Sequence, residues 1–196
     1  MKNVALVLGS IAFDYIMKFD GRFKDVILPD ADRNLTGSFN VSSVRVRFGG
    51  TAGNISYNLA LLGEKAIAVS SAGEDLVAMK YDEHLKRTGV DLRLVGNPEE
   101  RTAAAYIISD ATNNQLTIFH PGALKQASKI SVEEAIRDTI DSVKIAIVAP
   151  NPVDAIVSYS KELAKLHIPF IFDPGQVVPA FTPEQLMDII PVSKLL

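Results

Sequence analysis

Residues 145–172 read IAIVAPNPVDAIVSYSKELAKLHIPFIF. The first five are an unbroken apolar run, the pattern of a parallel strand covered on both faces. Residues 153–166 change to a helical period, and 169–172 return to a short apolar run. A strand, a helix and a second buried strand in succession make a βαβ unit, which implies a parallel sheet.

The same rhythm extends outward in both directions. Residues 4–8, VALVL, form another short apolar run, and 65–70 and 91–95 read as further strands. A helix starts near Thr51, with Ile55, Leu59 and Leu62 along one stripe and Gly63 at its C-terminal cap. Residues 76–88 form an amphipathic helix closed by Gly89. Ser131 with Glu134 makes a capping box for a helix to about residue 141. Thr182-Pro183-Glu184-Gln185 is a strong helix start, and that helix runs to about residue 190. The body is therefore a doubly wound α/β sheet, mostly parallel, with helices on both faces.

Two stretches break the rhythm. In 38–48, Phe39, Val41, Val44, Val46 and Phe48 are separated by polar residues, which describes two short strands or one bent strand with a wet face. Residues 102–109 and 115–119 flank Asp110-Ala111-Thr112-Asn113-Asn114, a turn of residues that bond their own backbone. These alternating hairpins are expected to pair with each other as a small separate sheet.

Composition narrows the function classes. With 20 Lys+Arg against 23 Asp+Glu, the chain lacks the basic excess needed to neutralise many phosphates, so nucleic acid is not an expected partner. Cysteine is absent, which excludes disulfides, thiolate metal sites and thiol nucleophiles. The first apolar run stops at Gly9-Ser10 without a cleavage pattern, and no stretch is long enough to span a membrane. A cytoplasmic protein is the expectation, with no metal held by a His or Cys cluster.

In an open parallel sheet, ligands sit beyond the carboxyl ends of the strands. Three clusters fall there. Gly9-Ser10 through Asp14 places a carboxylate where it accepts from a sugar diol or caps a turn. Gly49-Gly50-Thr51-Ala52-Gly53-Asn54 lets the backbone approach a ligand, with free N–H groups of the following helix behind it, or is simply a tight turn. Its spacing is neither a dinucleotide fingerprint nor a Walker loop. Asp173-Pro174-Gly175-Gln176 faces a ligand or forms a proline turn, and Phe119 stacks on a flat ring or packs.

Together these clusters resemble the ribokinase family of sugar and nucleoside kinases, the phosphofructokinase-B type. The resemblance rests on Gly9-Ser10-x-x-x-Asp14, on Gly49-Gly50-Thr51-Ala52-Gly53-Asn54-Ile55-Ser56, and on Gly63 and Gly73-Glu74-Asp75. Gly21-Arg22-Phe23, Leu28-Pro29, Ser38-Phe39 and Asp173-Pro174-Gly175-Gln176 look most like bacterial adenosine kinases. The resemblance implies that Asp14 and Asn54 hold ribose hydroxyls and that Gly49 and Gly50 line the sugar. It also implies that Ser10, Ser38 and Gln176 add polar contacts and that Phe119 stacks on the base. Ala105 stands where those kinases place a second lid aromatic.

By the same resemblance, residues 1–196 are an incomplete ribokinase-like domain, with lid segments near 15–48 and 101–120. No Gly-Ala-Gly-Asp occurs in the sequence, so the implied catalytic base lies beyond the chain end. The expected function is ATP- and Mg²⁺-dependent phosphorylation of a nucleoside 5′-hydroxyl, adenosine first, with this chain supplying the acceptor half and being inactive alone. A sugar kinase acting on ribose, or a non-catalytic ligand-binding remnant, are the alternatives. A homodimer through the lid is the expected assembly, and one edge of the sheet near 145–149 or 169–172 is expected to lack a neighbour.

Overall fold

A computed structural model describes residues 3–29, 35–96 and 99–195, so residues 30–34 of the expected 15–48 segment lie outside the described residues. The chain divides into two compact units, one of residues 1–12, 49–103 and 121–196, the other of 13–48 and 104–120.

In chain order the strands are β1 (Val4–Leu8), β2 (Ala12–Phe19), β3 (Leu28–Pro29), β4 (Leu35–Thr36), β5 (Val41–Gly49), β6 (Lys65–Ala72), β7 (Asp91–Gly96), β8 (Ala103–Ser109), β9 (Gln115–His120), β10 (Val143–Val148) and β11 (Phe170–Phe172). The helices are α1 (Phe23–Val26), α2 (Thr51–Leu61), α3 (Asp75–Ala78), α4 (Tyr81–Arg87), α5 (Val132–Ala135), α6 (Val153–Lys165) and α7 (Pro183–Ile189).

The larger unit is built on a parallel sheet of order β11-β10-β1-β6-β7. Leu6 and Leu8, Ile67 and Val69, Ala146 and Val148, and Phe170 and Phe172 project into one core with Ile156, Tyr159 and Leu163 of α6. Those three α6 residues recur at helical spacing, and burying each side chain contributes about 1.5–3 kcal/mol. Val7, Ala66 and Ala68, which alternate with them, are buried on the other side. The small alanines there suit the close packing of α2 on β6 and β1.

The sheet continues past β11. Lys194 N donates to Phe170 O (2.8 Å) and Phe172 N to Leu195 O (2.9 Å), placing Leu195 parallel beside Ile171. The edge expected to be bare is thus paired at that point.

Several local expectations are corrected. The buried face of α2 is Ala52, Gly53 and Ser56 rather than Ile55, Leu59 and Leu62, and Leu62 is 79% exposed. The single helix over 76–88 is two, α3 and α4, separated by left-handed Lys80 (φ 60°). Ser131 does cap α5, accepting from Glu134 N (3.3 Å), but α5 lasts one turn. Glu162 of α6 takes both the Ser131 hydroxyl (3.1 Å) and Glu133 N (3.2 Å), a tertiary claim that the local pattern could not reveal. At α7 the full capping box of Thr182 and Gln185 is present.

The smaller unit holds a four-stranded sheet of order β5-β2-β8-β9. The 38–48 stretch is one strand, and it does not pair with the β8–β9 hairpin, because β2 lies between them. Phe19, Phe23 and Phe39 form an aromatic cluster with ring centroids 5.3–6.0 Å apart.

Candidate functional site

At the carboxyl edge of the parallel sheet, the register sets Leu8 beside both Val148 and Val69, and Val148 beside Phe172. The turns that follow β1, β10 and β11 therefore leave the sheet in one row. Gly9-Ser10 follows β1 and meets the start of α2 directly. Ser10 Oγ accepts from Thr51 N (2.9 Å), and Ser10 O accepts from Ala52 N (2.9 Å) and Gly53 N (3.4 Å). Thr51 Oγ1 accepts in return from Ser10 N (3.2 Å).

The cap residue of α2 is Gly50, which has no side chain to offer, so the preceding strand's turn satisfies the helix instead. This corrects the expectation of free N–H groups at that helix: they are occupied by Ser10. Ser10 is buried, and its hydroxyl belongs to this arrangement.

Gly50 has φ 85°, and a Cβ there would lie 2.5 Å from Ser10 O and 2.7 Å from Ala12 N. Only glycine fits. A Cβ on Gly53 would overlap the Tyr81 hydroxyl, which donates to Gly49 O (2.8 Å) from a fully buried position. Ser10, Gly49, Gly50 and Asn54 are thereby brought into one turn, with Asn54 exposed one helical step beyond Gly53.

Gln176 lies exposed in the turn after β11. Between that turn and Ser10 stands a residue the sequence reading missed. Asn151, after β10, is 4% exposed; its Nδ2 donates to Ala149 O (3.3 Å), and its Oδ1 has no partner among the described residues. Its signal was an amide following a buried strand in Ala-Pro-Asn-Pro, which reads equally as a turn.

In the smaller unit, Tyr15 of β2 stacks on Tyr106 of β8 (centroids 5.0 Å apart), so these two share a face. Residues alternate along strands, so Asp14 and Ala105 share the opposite face. Ala105 pairs directly with Phe119 of β9. Asp14, Ala105 and Phe119 therefore lie on one face. Phe119 is half exposed there, and Ser38 is exposed in the segment before β5.

Asp14 is half-buried, and that burial raises its carboxyl above the ordinary value. Its carboxylate makes no hydrogen bond or ion pair among the described residues. A partly desolvated acceptor of this kind favours ligand hydroxyls as donors. Among the described residues no cluster of three or more His, Cys, Asp or Glu is placed to hold a metal, and no helix is long and apolar enough to cross a membrane.

The profile of the pfkB family carbohydrate kinases matches residues 11–196. The chain belongs to that family. Nucleoside kinases are among its relatives. The chain is 29% identical over 193 residues to the nucleoside kinase of Methanocaldococcus jannaschii, covering 97% of this chain and 57% of that protein. The solved nucleoside kinase of that organism, an archaeal member of the ribokinase family, superposes with a TM-score of 0.80 at 25% identity, over 98% of this chain and 60% of the other. A nucleoside kinase of Burkholderia thailandensis, solved in complex with inosine, is 36% identical with a TM-score of 0.73, over 97% of this chain and 59% of the other. The chain thus spans less than two thirds of the length of these relatives. The mostly parallel α/β sheet with helices is the fold these pfkB neighbours share.

Proposed function

We propose that this pfkB-family chain is the acceptor-binding part of an ATP-dependent nucleoside kinase acting on the 5′-hydroxyl of a purine nucleoside, adenosine first. One observation carries the reading: Asp14, a half-buried carboxylate without a partner among the described residues, shares a sheet face with the exposed ring of Phe119. That face pairs a diol acceptor with a surface for a flat base. By the family resemblance alone, Asn54 and the backbone of Gly49 and Gly50 are assigned to the sugar, with Ser38 and Gln176 as further polar partners. Ser10 holds the Gly49-Gly50 turn in shape through Thr51. The nucleoside kinase relatives support the substrate class.

ATP and Mg²⁺ are the implied phosphoryl donor and metal. The described residues do not fit them: the α2 N–H groups that could cradle a phosphate are taken by Ser10, and no acidic cluster awaits the metal. The general base and the groups stabilising the transferring phosphoryl are assigned to residues other than these. Such an activity belongs in the cytoplasm, where ATP is supplied.

Ala105 favours a second reading. With a methyl group where a second aromatic would complete a base sandwich, the face also suits ribose or a related sugar. Titration calorimetry with adenosine, inosine and ribose separates the readings. Saturable nucleoside binding with much weaker ribose binding supports the nucleoside site. Equal affinities favour the sugar kinase, and a folded chain that binds none of the three removes both ligand readings for this chain alone.

The reading includes a homodimer. The opposite face of the smaller sheet carries Tyr15 and Tyr106 with Ile118, which is 66% exposed, an apolar surface suited to a second copy. Sedimentation velocity of wild type and Ile118→Glu tests it, a dimer that the substitution dissociates being the expected result.

A further inference from the structure

The chain passes between its two units at residues 12/13, 48/49, 103/104 and 120/121. Two of these passages are held, on the side of the larger unit, by side chains from one short segment. Tyr81, at the start of α4, donates its hydroxyl to Gly49 O (2.8 Å), at the 48/49 passage itself. Asp75, at the start of α3, accepts through Oδ1 from Thr102 N (2.8 Å) and Thr102 Oγ1 (2.6 Å), beside the 103/104 passage. Gly73 N donates to the same Thr102 hydroxyl (3.1 Å).

The packing there leaves no slack. A Cβ on Gly73 would overlap Glu100 O, and one on Gly122 would overlap Arg101 O. Ala123 N donates to Arg101 O (2.8 Å), so the returning strand at 120/121 is tied to the outgoing one.

We infer that residues 75–81 are the positioning element of the ligand-binding face, with Asp75 and Tyr81 setting where β8 and β5 leave the larger unit. In one straight helix these two residues would project about 120° apart. Left-handed Lys80 breaks the helix between them, and each side chain reaches its own passage. Tyr81 also backs Gly53, next to Asn54, so its hydroxyl bears on the sugar-lining turn as well.

The inference rests on the nucleoside reading for its ligand, but its test has an arm that does not. Tyr81→Phe removes one hydroxyl and keeps the ring over Gly53. Asp75→Ala removes the acceptor for Thr102, and Asp75→Asn retains a carboxamide oxygen able to accept. Amide hydrogen exchange is followed at residues 48–54 and 102–105, with β1 and β10 as internal references, alongside adenosine titration.

Tyr81→Phe is expected to speed exchange at 48–54 by about tenfold, and Asp75→Ala exchange at 102–105 by a similar factor, while β1 and β10 stay unchanged. Adenosine affinity is expected to fall by about tenfold in both, with Asp75→Asn recovering part of the loss. Exchange that rises equally in β1 and β10, or does not rise at the passages, overturns the inference and leaves these residues merely structural. If wild type binds no nucleoside, the functional reading fails on its own and the exchange arm still decides the positioning role. Altered exchange at the passages with nucleoside affinity intact also overturns it.

Discussion

Ala105 lies directly across from Phe119 in the antiparallel pairing of β8 and β9, on the face that also carries Asp14. A methyl group beside the ring leaves one aromatic surface available to a base rather than two. Phe119 is 51% exposed, so its ring is not needed to fill a core.

Phe119→Ala follows from that exposure. Losing one stacking partner should cost about 1–3 kcal/mol of nucleoside binding, since base–aromatic contacts are of that size. Thermal stability should change little, and ribose binding should not change. Calorimetry of wild type and variant with both ligands checks this, and an equal loss for ribose would remove Phe119 from the base-binding role.

Asp14→Asn separates function from stability. Burial raises the Asp14 carboxyl above 3.8, so the folded chain binds that proton more tightly than the unfolded chain. Folding stability from this group therefore declines as pH rises from the ordinary value through the raised one, and stays constant above. At neutral pH the variant should be at least as stable as wild type, while nucleoside affinity falls by at least tenfold or so, the usual scale for a charged acceptor. Affinity of the wild type should also fall on acidification through the same window. A variant that melts earlier yet binds normally would make Asp14 a structural residue of β2 and not a ligand acceptor.

The elements legible in the sequence are those whose cause is local. The apolar run of β1 was readable to the residue, as were the α7 capping box and the glycines of the α2 turn. What escaped is tertiary. β2 was missed although Phe13, Tyr15, Met17 and Phe19 alternate with Asp14, Ile16 and Lys18, because the glycine–serine motif before it reads as a loop. The break at Lys80 is explained by partners of Asp75 and Tyr81 that lie 27 and 32 residues away in sequence. The glycine motif itself was visible, but that Ser10 would take its amides required knowing that β1 and α2 are neighbours.

Gly50→Ala tests that arrangement. The substitution adds strain at φ 85° and drives a Cβ against Ser10 O and Ala12 N, which are backbone atoms that cannot rotate away. A loss on the order of 3 kcal/mol is expected, typical of strain at a special backbone conformation. For a chain of this length that lowers the thermal midpoint by about 6–12 °C. A midpoint within a degree or two of wild type would show that the turn rearranges freely.

Asp110→Asn addresses acid sensitivity. Asp110 is 4% exposed at the β8–β9 turn. Its Oδ1 accepts from Thr112 N (2.8 Å), Thr112 Oγ1 (2.9 Å) and Asn114 N (2.9 Å), and its Oδ2 from Phe23 N (3.1 Å) and Asn114 Nδ2 (3.0 Å). Burial pushes the carboxyl up, but the hydrogen bonds from Asn114, Phe23 and Thr112 outweigh it and hold the group well below 3.8. The stabilisation is therefore present above the unfolded value and is lost as pH falls from there toward the depressed folded value. An amide cannot accept from donors on both sides, so the variant should be less stable than wild type at pH 7. It should also lose less on acidification below about pH 4, having no proton to take up. Asp138, beside Arg93, and Glu184, at the start of α7, are also held below their ordinary values, so wild type alone cannot assign the acid limb. The difference between the two midpoint-against-pH curves can: it should narrow as pH falls, and parallel curves would mean that the Asp110 carboxylate contributes nothing to acid stability.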